Sequence, residues 1–154
     1  MSSLEERPLE GNGRCFACGP KNIHGLRMKV SFEEDRAVSR LSLESHFQGW
    51  NDIAHGGIVS TVLDEIMAYA VIRFVGQGVT ARMETAYRRP VPLGRELLAV
   101  ARVVEQKRRL ATAQGKLYLA EDQTLLAEAT SRWMLKLGPD GKPLDGAAWL
   151  TGQL

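Results

Sequence analysis

Apolar and polar residues alternate strictly at the start of the chain. Between Leu26 and Glu33 every second side chain is apolar, which predicts a half-buried strand. A second strand is predicted at 36–44, and the polar stretch FEEDR between the two predicts a hairpin turn. Four further strand-like runs follow later, at 79–89, 96–105, 110–120 and 124–137. The short turns between them predict an antiparallel meander.

The middle of the chain has a helical period instead. No Gly or Pro occurs from Ile58 to Val75, and apolar residues recur there at helical spacing until Gly76 and Gly78. Such a helix is apolar on almost every side, so a sheet must wrap around it. The predicted fold is therefore α+β: a single domain with a long central helix wrapped by a curved antiparallel sheet of about six strands.

The chain length and the positions of turn-forming residues predict the bounds of this domain. The chain of 154 residues fits one domain. We expect a flexible N-terminal segment at 1–14, the folded domain at 15–137, and a turn-rich, loosely attached tail at 138–154.

Composition excludes several classes of protein. The net charge is only +2, from 20 Lys and Arg against 18 Asp and Glu, which argues against a nucleic-acid partner. The longest apolar run contains charged residues, which argues against a membrane span, and the first residues contain no apolar stretch typical of a secretory signal. Two cysteines three positions apart give no disulfide framework, so a reduced, cytoplasmic protein is expected.

The stretch HGGIVSTVLDE opens the predicted helix with Gly56 and Gly57. A helix N-terminus presents backbone N–H groups without intrahelical partners, and its dipole favours negative charge. Glycines leave a ligand room to approach, so this terminus suits an oxyanion hole. The alternative is that the two glycines only allow a tight turn into the helix.

Two carboxylates, Asp64 and Glu65, lie inside the same apolar helix. A carboxylate is costly there unless it is paired or used in chemistry, and neighbouring positions point about 100° apart. Asp64 lies on the same face of the helix as several small and polar residues, whereas Glu65 is expected to meet an arginine. The candidates for that partner are Arg73, Arg82 and Arg132. Alternatively, both carboxylates form ion pairs at an interface.

Helix geometry separates the two halves of the predicted site. Asp64 lies eight residues beyond Gly56, about 12 Å along a helix. A base and an oxyanion donor that serve one carbonyl must each come within about 3 Å of the reacting atoms. Two antiparallel copies satisfy this requirement, so we expect at least a twofold dimer with two shared sites.

The motifs HGGIVSTVLDEIM and GVTARMETAYRRPVPLG together resemble hotdog-fold thioesterases of the PaaI-like kind, in the branch that includes mammalian thioesterase superfamily members. The resemblance extends over roughly residues 15 to 136. It implies hydrolysis of acyl-coenzyme A (CoA) thioesters by a homo-oligomer, either a dimer or a dimer of dimers, without a cofactor.

The resemblance also implies roles for single residues. Asp64 matches the acidic base or nucleophile, and Gly56 matches the glycine whose amide polarises the thioester carbonyl. Thr80 falls at the position that helps hold the attacking water, and His55 matches a motif histidine with a positional role. Several relatives carry an Asn six residues before that histidine, where this chain has Gly49. This departure favours an alternative function: a hotdog protein that binds an acyl-CoA or acyl carrier as a sensor or regulator, without turnover.

Four further residues are candidates for substrate binding: Gly57, Trp50, Arg89 and Arg108. Arg89 and Arg108 belong to short basic stretches at predicted strand ends, where bidentate donors suit the phosphates of CoA. Their alternative role is to keep the sheet edges soluble.

The stretch CFACGPKNIHGL offers Cys15, Cys18 and His24 as zinc ligands. A structural zinc site needs four ligands, and a second C-x-x-C is missing. His46 or a partner subunit could complete the set; alternatively, the stretch forms a tight turn that caps the first strand. No metal is predicted to take part in the reaction, because His24, His46 and His55 lack the spacing of zinc ligands.

Overall fold

The computed structural model describes residues 10–152. Most of the predicted flexible segment, residues 1–9, and the last two residues of the tail lie outside the described part. This part of the chain contains one long α-helix, one short α-helix and six strands. Their bounds are β1 Ser31–Glu33, β2 Arg36–Leu41, α1 Gly56–Phe74, β3 Gly78–Tyr87, β4 Leu97–Lys107, β5 Leu110–Leu119, β6 Leu125–Leu135 and α2 Ala147–Gly152.

The six strands form one antiparallel sheet in the order β1-β2-β4-β5-β6-β3. Helix α1 lies against it, and eleven of its residues, from Val59 to Ile72, are buried. This confirms the predicted α+β fold with its element order. A helix that is apolar on nearly all sides is buried only where a sheet wraps around it, as the pattern of apolar residues predicted.

The predicted meander is confirmed only for β4, β5 and β6. Strand β3 pairs with β6 and not with β4, its successor in sequence, so β3 forms an edge of the sheet. The connection from β3 to β4 contains Pro90 and Pro92 and reaches the other side of the meander. A proline cannot donate to a ladder, which suits this segment to a crossover rather than to a hairpin.

The first strand is shorter than its alternation predicts. Met28 is buried and its neighbours are not, so the period is real. Only three residues pair with β2, however. The Leu26 and Met28 N–H groups donate instead to the Phe16 and Ala17 carbonyls, and Arg27 has a φ of 49°. The preceding cysteine turn therefore takes the hydrogen bonds that a longer β1 would have used.

The C-terminal tail contacts the folded domain. The Gln77 side chain donates to the Asp145 carbonyl at 2.9 Å. The ring of Trp149 lies 5.4 Å from that of Tyr69 on α1. The turn-rich composition of this segment did not indicate its aromatic contact with α1. Within residues 10–152, no helix is both long and apolar enough to cross a membrane.

Candidate active site

The start of α1 is fixed by His55, which is its N-cap residue. The His55 Nδ1 accepts the Gly57 N–H at 2.9 Å, so one of the free donors at the helix terminus is used. A Cβ on Gly57 would come within 3.1 Å of that same nitrogen. Gly57 is thus needed for the cap, and its N–H is not available to a substrate. The helix begins at Gly56, the first of the two glycines predicted to open it.

The Gly56 N–H remains available. No acceptor for it lies among residues 10–152. A Cβ at this position would meet the ring of Tyr87 at 3.7 Å, an ordinary contact. Gly56 is exposed, and its backbone donor lies at the positive end of the helix dipole, where a developing oxyanion is stabilised. The sequence alone could not distinguish the roles of Gly56 and Gly57.

Tyr87 belongs to this terminus, although sequence reasoning missed it. Its hydroxyl donates to the Gly56 carbonyl at 3.2 Å and hydrogen-bonds the Ser60 hydroxyl. Its side chain is nevertheless 54% exposed. The sequence signal for Tyr87 was its position near the end of the strand predicted at 79–89.

Asp64 and Thr80 form the second half of the site. The Thr80 hydroxyl donates to Asp64 Oδ1 at 2.7 Å and fixes the orientation of the carboxylate. Asp64 is half-buried. Burial raises its pKa above the ordinary value, and the hydrogen bond from Thr80 lowers it again in part. A carboxylate with a raised pKa is a better base toward water.

The two halves do not meet within one chain. Gly56 and Asp64 are both on α1, eight residues and about 12 Å apart. A groove of about 380 Å³ does open on the domain, but it is lined by residues of the outer sheet face such as Arg102, Lys116 and Tyr118, and by none of the predicted site residues.

Comparison with known proteins identifies the family. The thioesterase superfamily matches residues 51–126, a range that includes the N-terminus of α1, Asp64 and Thr80. The chain belongs to the thioesterase superfamily. No curated protein matches it.

Solved structures share the hotdog fold of this superfamily member. A thioesterase superfamily protein superposes with a TM-score of 0.74 at 22% identity, and the match covers 79% of this chain but only 60% of that one. PaaI of the Escherichia coli phenylacetic acid degradation operon gives 0.66 at 21% identity, over 71% and 83% of the two chains. A Streptococcus mutans protein bound to acetyl-CoA gives 0.65 at 22% identity, over 70% and 86%.

The remaining candidates for substrate binding in this superfamily member are dispersed. Trp50 is 85% exposed, in the loop before α1. The Arg89 N–H donates to the Leu126 carbonyl at one end of β6. Arg108 lies in a turn at the other end of β6, where the carbonyl of the residue after Arg108 accepts the Leu135 N–H. The two arginines are therefore about 30 Å apart along the strand. One chain cannot bring both to a single phosphate.

Among residues 10–152, Glu65 meets no arginine, so the prediction of Arg73, Arg82 or Arg132 as its partner is wrong. Arg73 lies over the ring of Phe32, and Arg82 pairs with Glu84. The third candidate, Arg132, is exposed.

The partner of Glu65 is instead Cys15, whose sulfur lies 3.6 Å from its Oε1. Burial raises the pKa of Glu65 to about 8, and the charge of Cys15 adds to the shift. The buried carboxylate of the helix thus belongs to a cysteine cluster and not to an ion pair. His24 is exposed and outside this cluster.

Proposed function

We propose that the protein hydrolyses acyl-CoA thioesters to a free acid and CoA. Superfamily membership supports thioester hydrolysis as the general activity. Two features of α1 together carry the proposal: an oriented, half-buried carboxylate at Asp64 and, at Gly56, a backbone N–H that has no acceptor among residues 10–152. A base and an oxyanion donor are the two groups that acyl transfer to water requires.

The edge strand β3 supplies a way to bring the two halves together. Thr80 lies near its beginning, next to Asp64, and Tyr87 ends it, next to Gly56. Antiparallel pairing of two copies of β3 about their midpoint therefore places Asp64 of one subunit toward Gly56 of the partner subunit.

The side chains of β3 favour such a pairing. About a twofold axis at Met83, Arg82 of each subunit lies opposite Glu84 of the other, and opposite charges across two strands attract. Val79 and Tyr87 are large, exposed and apolar near the ends of this strand, as expected of a surface that is covered in the assembly. We therefore propose a dimer or a dimer of dimers.

The reaction follows from these positions. Asp64 accepts a proton from a water molecule held beside it and Thr80, and the water oxygen attacks the thioester carbon. The carbonyl oxygen becomes negative and accepts the Gly56 N–H of the partner subunit. The carbon–sulfur bond then breaks, CoA leaves as the thiolate, and the proton taken from water returns to the products. Direct attack by Asp64 through an anhydride is the alternative route.

Acyl-CoA is the proposed substrate class because the structurally similar protein from Streptococcus mutans was solved with acetyl-CoA. Arg89, exposed beyond the end of β3, is the better placed of the two arginines for a CoA phosphate, since that end of β3 lies at the Gly56 terminus. Trp50, exposed in the loop that leads to the same terminus, is the proposed contact for the acyl group or pantetheine.

Product analysis in ¹⁸O-labelled water tests the proposed function. Free acid and CoA should form in equal amounts, with one labelled oxygen in the acid after many turnovers. After a single turnover, label on Asp64 identifies an anhydride that water opened at the Asp64 carboxyl carbon, whereas general-base catalysis places the label in the acid and none on Asp64. Acyl transfer to another acceptor, with no free acid, would refute the proposal.

Removing the Thr80 hydroxyl should shift the pH profile. We expect Thr80→Val to lower kcat by about 10- to 100-fold, because a hydrogen bond to a charged group is worth ~1.5–3 kcal/mol. This hydrogen bond lowers the pKa of Asp64, so its loss raises that pKa, and the acid limb of kcat/KM moves to higher pH. Thr80→Ser should restore both. An acid limb that stays in place in Thr80→Val would contradict the role of this hydrogen bond.

The alternative function is binding of an acyl-CoA or acyl carrier without turnover. It was suggested by Gly49, which stands where several relatives carry an Asn. The structure leaves no room there for the Asn of the relatives, because a Cβ on Gly49 would lie 2.9 Å from the His55 Cα. The backbone must shift before any side chain fits, and His55 caps the catalytic helix.

Gly49→Asn should therefore destabilise the protein rather than improve its site. We expect a loss of about 1–3 kcal/mol in the free energy of unfolding, as for other overpacked positions. Gly94→Asn is the matched control, since Gly94 has open space around its Cα and a φ of 72° that Asn tolerates. Urea unfolding of both variants is the measurement, and equal stability would contradict the steric argument.

A further inference from the structure

A second cluster of reactive side chains lies on the other side of α1. The sulfurs of Cys15 and Cys18 and a carboxylate oxygen of Glu65 all lie within 4.8 Å of one another. Cys18 and Glu65 are buried, and Cys15 is half-buried. None of the three has a role in the proposed thioester chemistry.

We propose that Cys15, Cys18 and Glu65 bind one Zn²⁺ ion, with a solvent molecule as the fourth ligand. In a tetrahedral site with Zn–S bonds of about 2.3 Å and Zn–O bonds of about 2.1 Å, sulfur and oxygen ligands are about 3.6 Å apart. The Cys15 Sγ and Glu65 Oε1 lie 3.6 Å apart. The half-buried side of Cys15 gives solvent access to the fourth position.

The turn that carries the two cysteines is built to present sulfur. The backbone N–H groups of Ala17 and Cys18 both point at the Cys15 sulfur, an arrangement that stabilises a thiolate. The Gly19 N–H closes the turn on the Cys15 carbonyl at 2.8 Å. A Cβ on Gly19 would come within 2.4 Å of the Cys15 nitrogen, so the tightness of the turn depends on glycine.

A fourth residue orients the ligands from outside. Tyr69 lies one turn beyond Glu65 on α1, and its hydroxyl donates to the Cys18 side chain. Metal ligands characteristically carry such outer hydrogen bonds, which fix their orientation.

Charge explains why a cation belongs here. Glu65 is only 9% exposed, and no lysine or arginine within residues 10–152 forms an ion pair with it. When it ionises, a buried carboxylate beside two sulfurs needs a compensating positive charge, which a divalent ion supplies. Two thiolates with one carboxylate suit Zn²⁺ better than Mg²⁺ or Ca²⁺, which prefer oxygen ligands alone.

The proposed ion lies outside the thioester chemistry. It joins the cysteine turn to α1 at the residue next to Asp64, but Asp64 points about 100° away around the helix. The ion would therefore hold the helix in place without contacting the thioester. As a metal ligand, Glu65 has a reason to lie in an otherwise apolar stretch of α1.

Metal content of the purified full-length chain tests this proposal. Protein prepared under reducing conditions without chelators should contain about one Zn²⁺ per chain by mass spectrometry of the elements. Replacing zinc by Co²⁺ should give thiolate-to-cobalt charge-transfer absorption. Added Zn²⁺ should raise the Tm of the metal-free protein.

Four variants assign the ligands and separate zinc binding from turnover. Glu65→Gln and Cys18→Ser should each weaken zinc binding by more than tenfold, and Glu65→Gln should abolish the rise in Tm. His24→Ala and Asp64→Asn should both retain the metal, although Asp64→Asn should lose turnover. Zinc content is therefore independent of the proposed enzymatic function. Because Glu65→Gln is nearly isosteric, its result stands even where Cys18→Ser fails to fold.

Other results would overturn the proposal. Metal-free wild-type protein that binds neither Zn²⁺ nor Co²⁺, with both thiols open to a thiol reagent, would exclude a metal site. A mass lower by two hydrogens and no free thiol would assign the pair to a disulfide instead. Loss of zinc in His24→Ala but not in Glu65→Gln would remove Glu65 as a ligand.

Discussion

Asp64→Asn should lose nearly all thioester hydrolysis, with kcat/KM lower by about 10²- to 10⁴-fold. The amide is almost the same size as the carboxylate and can still accept the hydrogen bond that Thr80 donates at 2.7 Å. It cannot accept a proton from water or attack a carbonyl, so the loss is expected for either route. Initial rates of thiol release from acyl-CoA measure the effect.

The matched control is Glu105→Gln, which neutralises an exposed carboxylate on β4, separated by β5 and β6 from the strand that carries Thr80. It should keep wild-type rates. Circular dichroism and size-exclusion chromatography establish that both variants keep the fold and the oligomer. An Asp64→Asn protein that turns over within threefold of wild type, with its fold intact, would remove Asp64 from the chemistry.

Mixed oligomers should recover activity that neither parent has. Gly56→Val is the partner variant, because a Cβ at Gly56 fits at 3.7 Å from Tyr87 and only a bulkier side chain blocks the ligand. A mixed dimer with Asp64→Asn then has one site with Asp64 and Gly56 both intact, and one site without either. Random mixing makes half of the dimers mixed, so about one quarter of wild-type activity should return.

A second mixture controls for simple stabilisation by mixing. Asp64 and Thr80 lie in one chain and in the same half of the site. Mixing Asp64→Asn with Thr80→Val therefore creates no intact site, and activity should stay at or below that of Thr80→Val. If the first mixture recovers no more than its parents, although mass spectrometry shows mixed dimers, the shared site is wrong.

The fold was predictable because its signals are local. An alternation of period two marks the strands, and an uninterrupted apolar helical run marks α1, which must be buried on nearly all sides. The separation of Gly56 from Asp64 followed from helix rise alone. Pairing partners are not local, and for that reason the meander was extended wrongly to β3.

The parts of the site that were missed depend on contacts between distant segments. Cys15 meets Glu65 across 50 positions, whereas the sequence suggested an arginine because arginines are the usual partners of buried carboxylates. Gly56 and Gly57 look alike in the motif, and only the His55 ring distinguishes the free N–H from the capped one. The N–H groups of Leu26 and Met28 bond to the cysteine turn instead of to a neighbouring strand, and the alternation of apolar and polar residues could not indicate this.

Thiol release by the wild-type protein from a panel of acyl-CoAs, short to long and aromatic, tests the central claim most directly. A calorimetric titration with a non-hydrolysable thioether analogue of each acyl group accompanies it. We predict that at least one acyl-CoA is turned over to free CoA and that the analogues of the best substrates bind. Binding across the panel without release of thiol would contradict hydrolysis and would establish the protein as an acyl-CoA-binding hotdog domain.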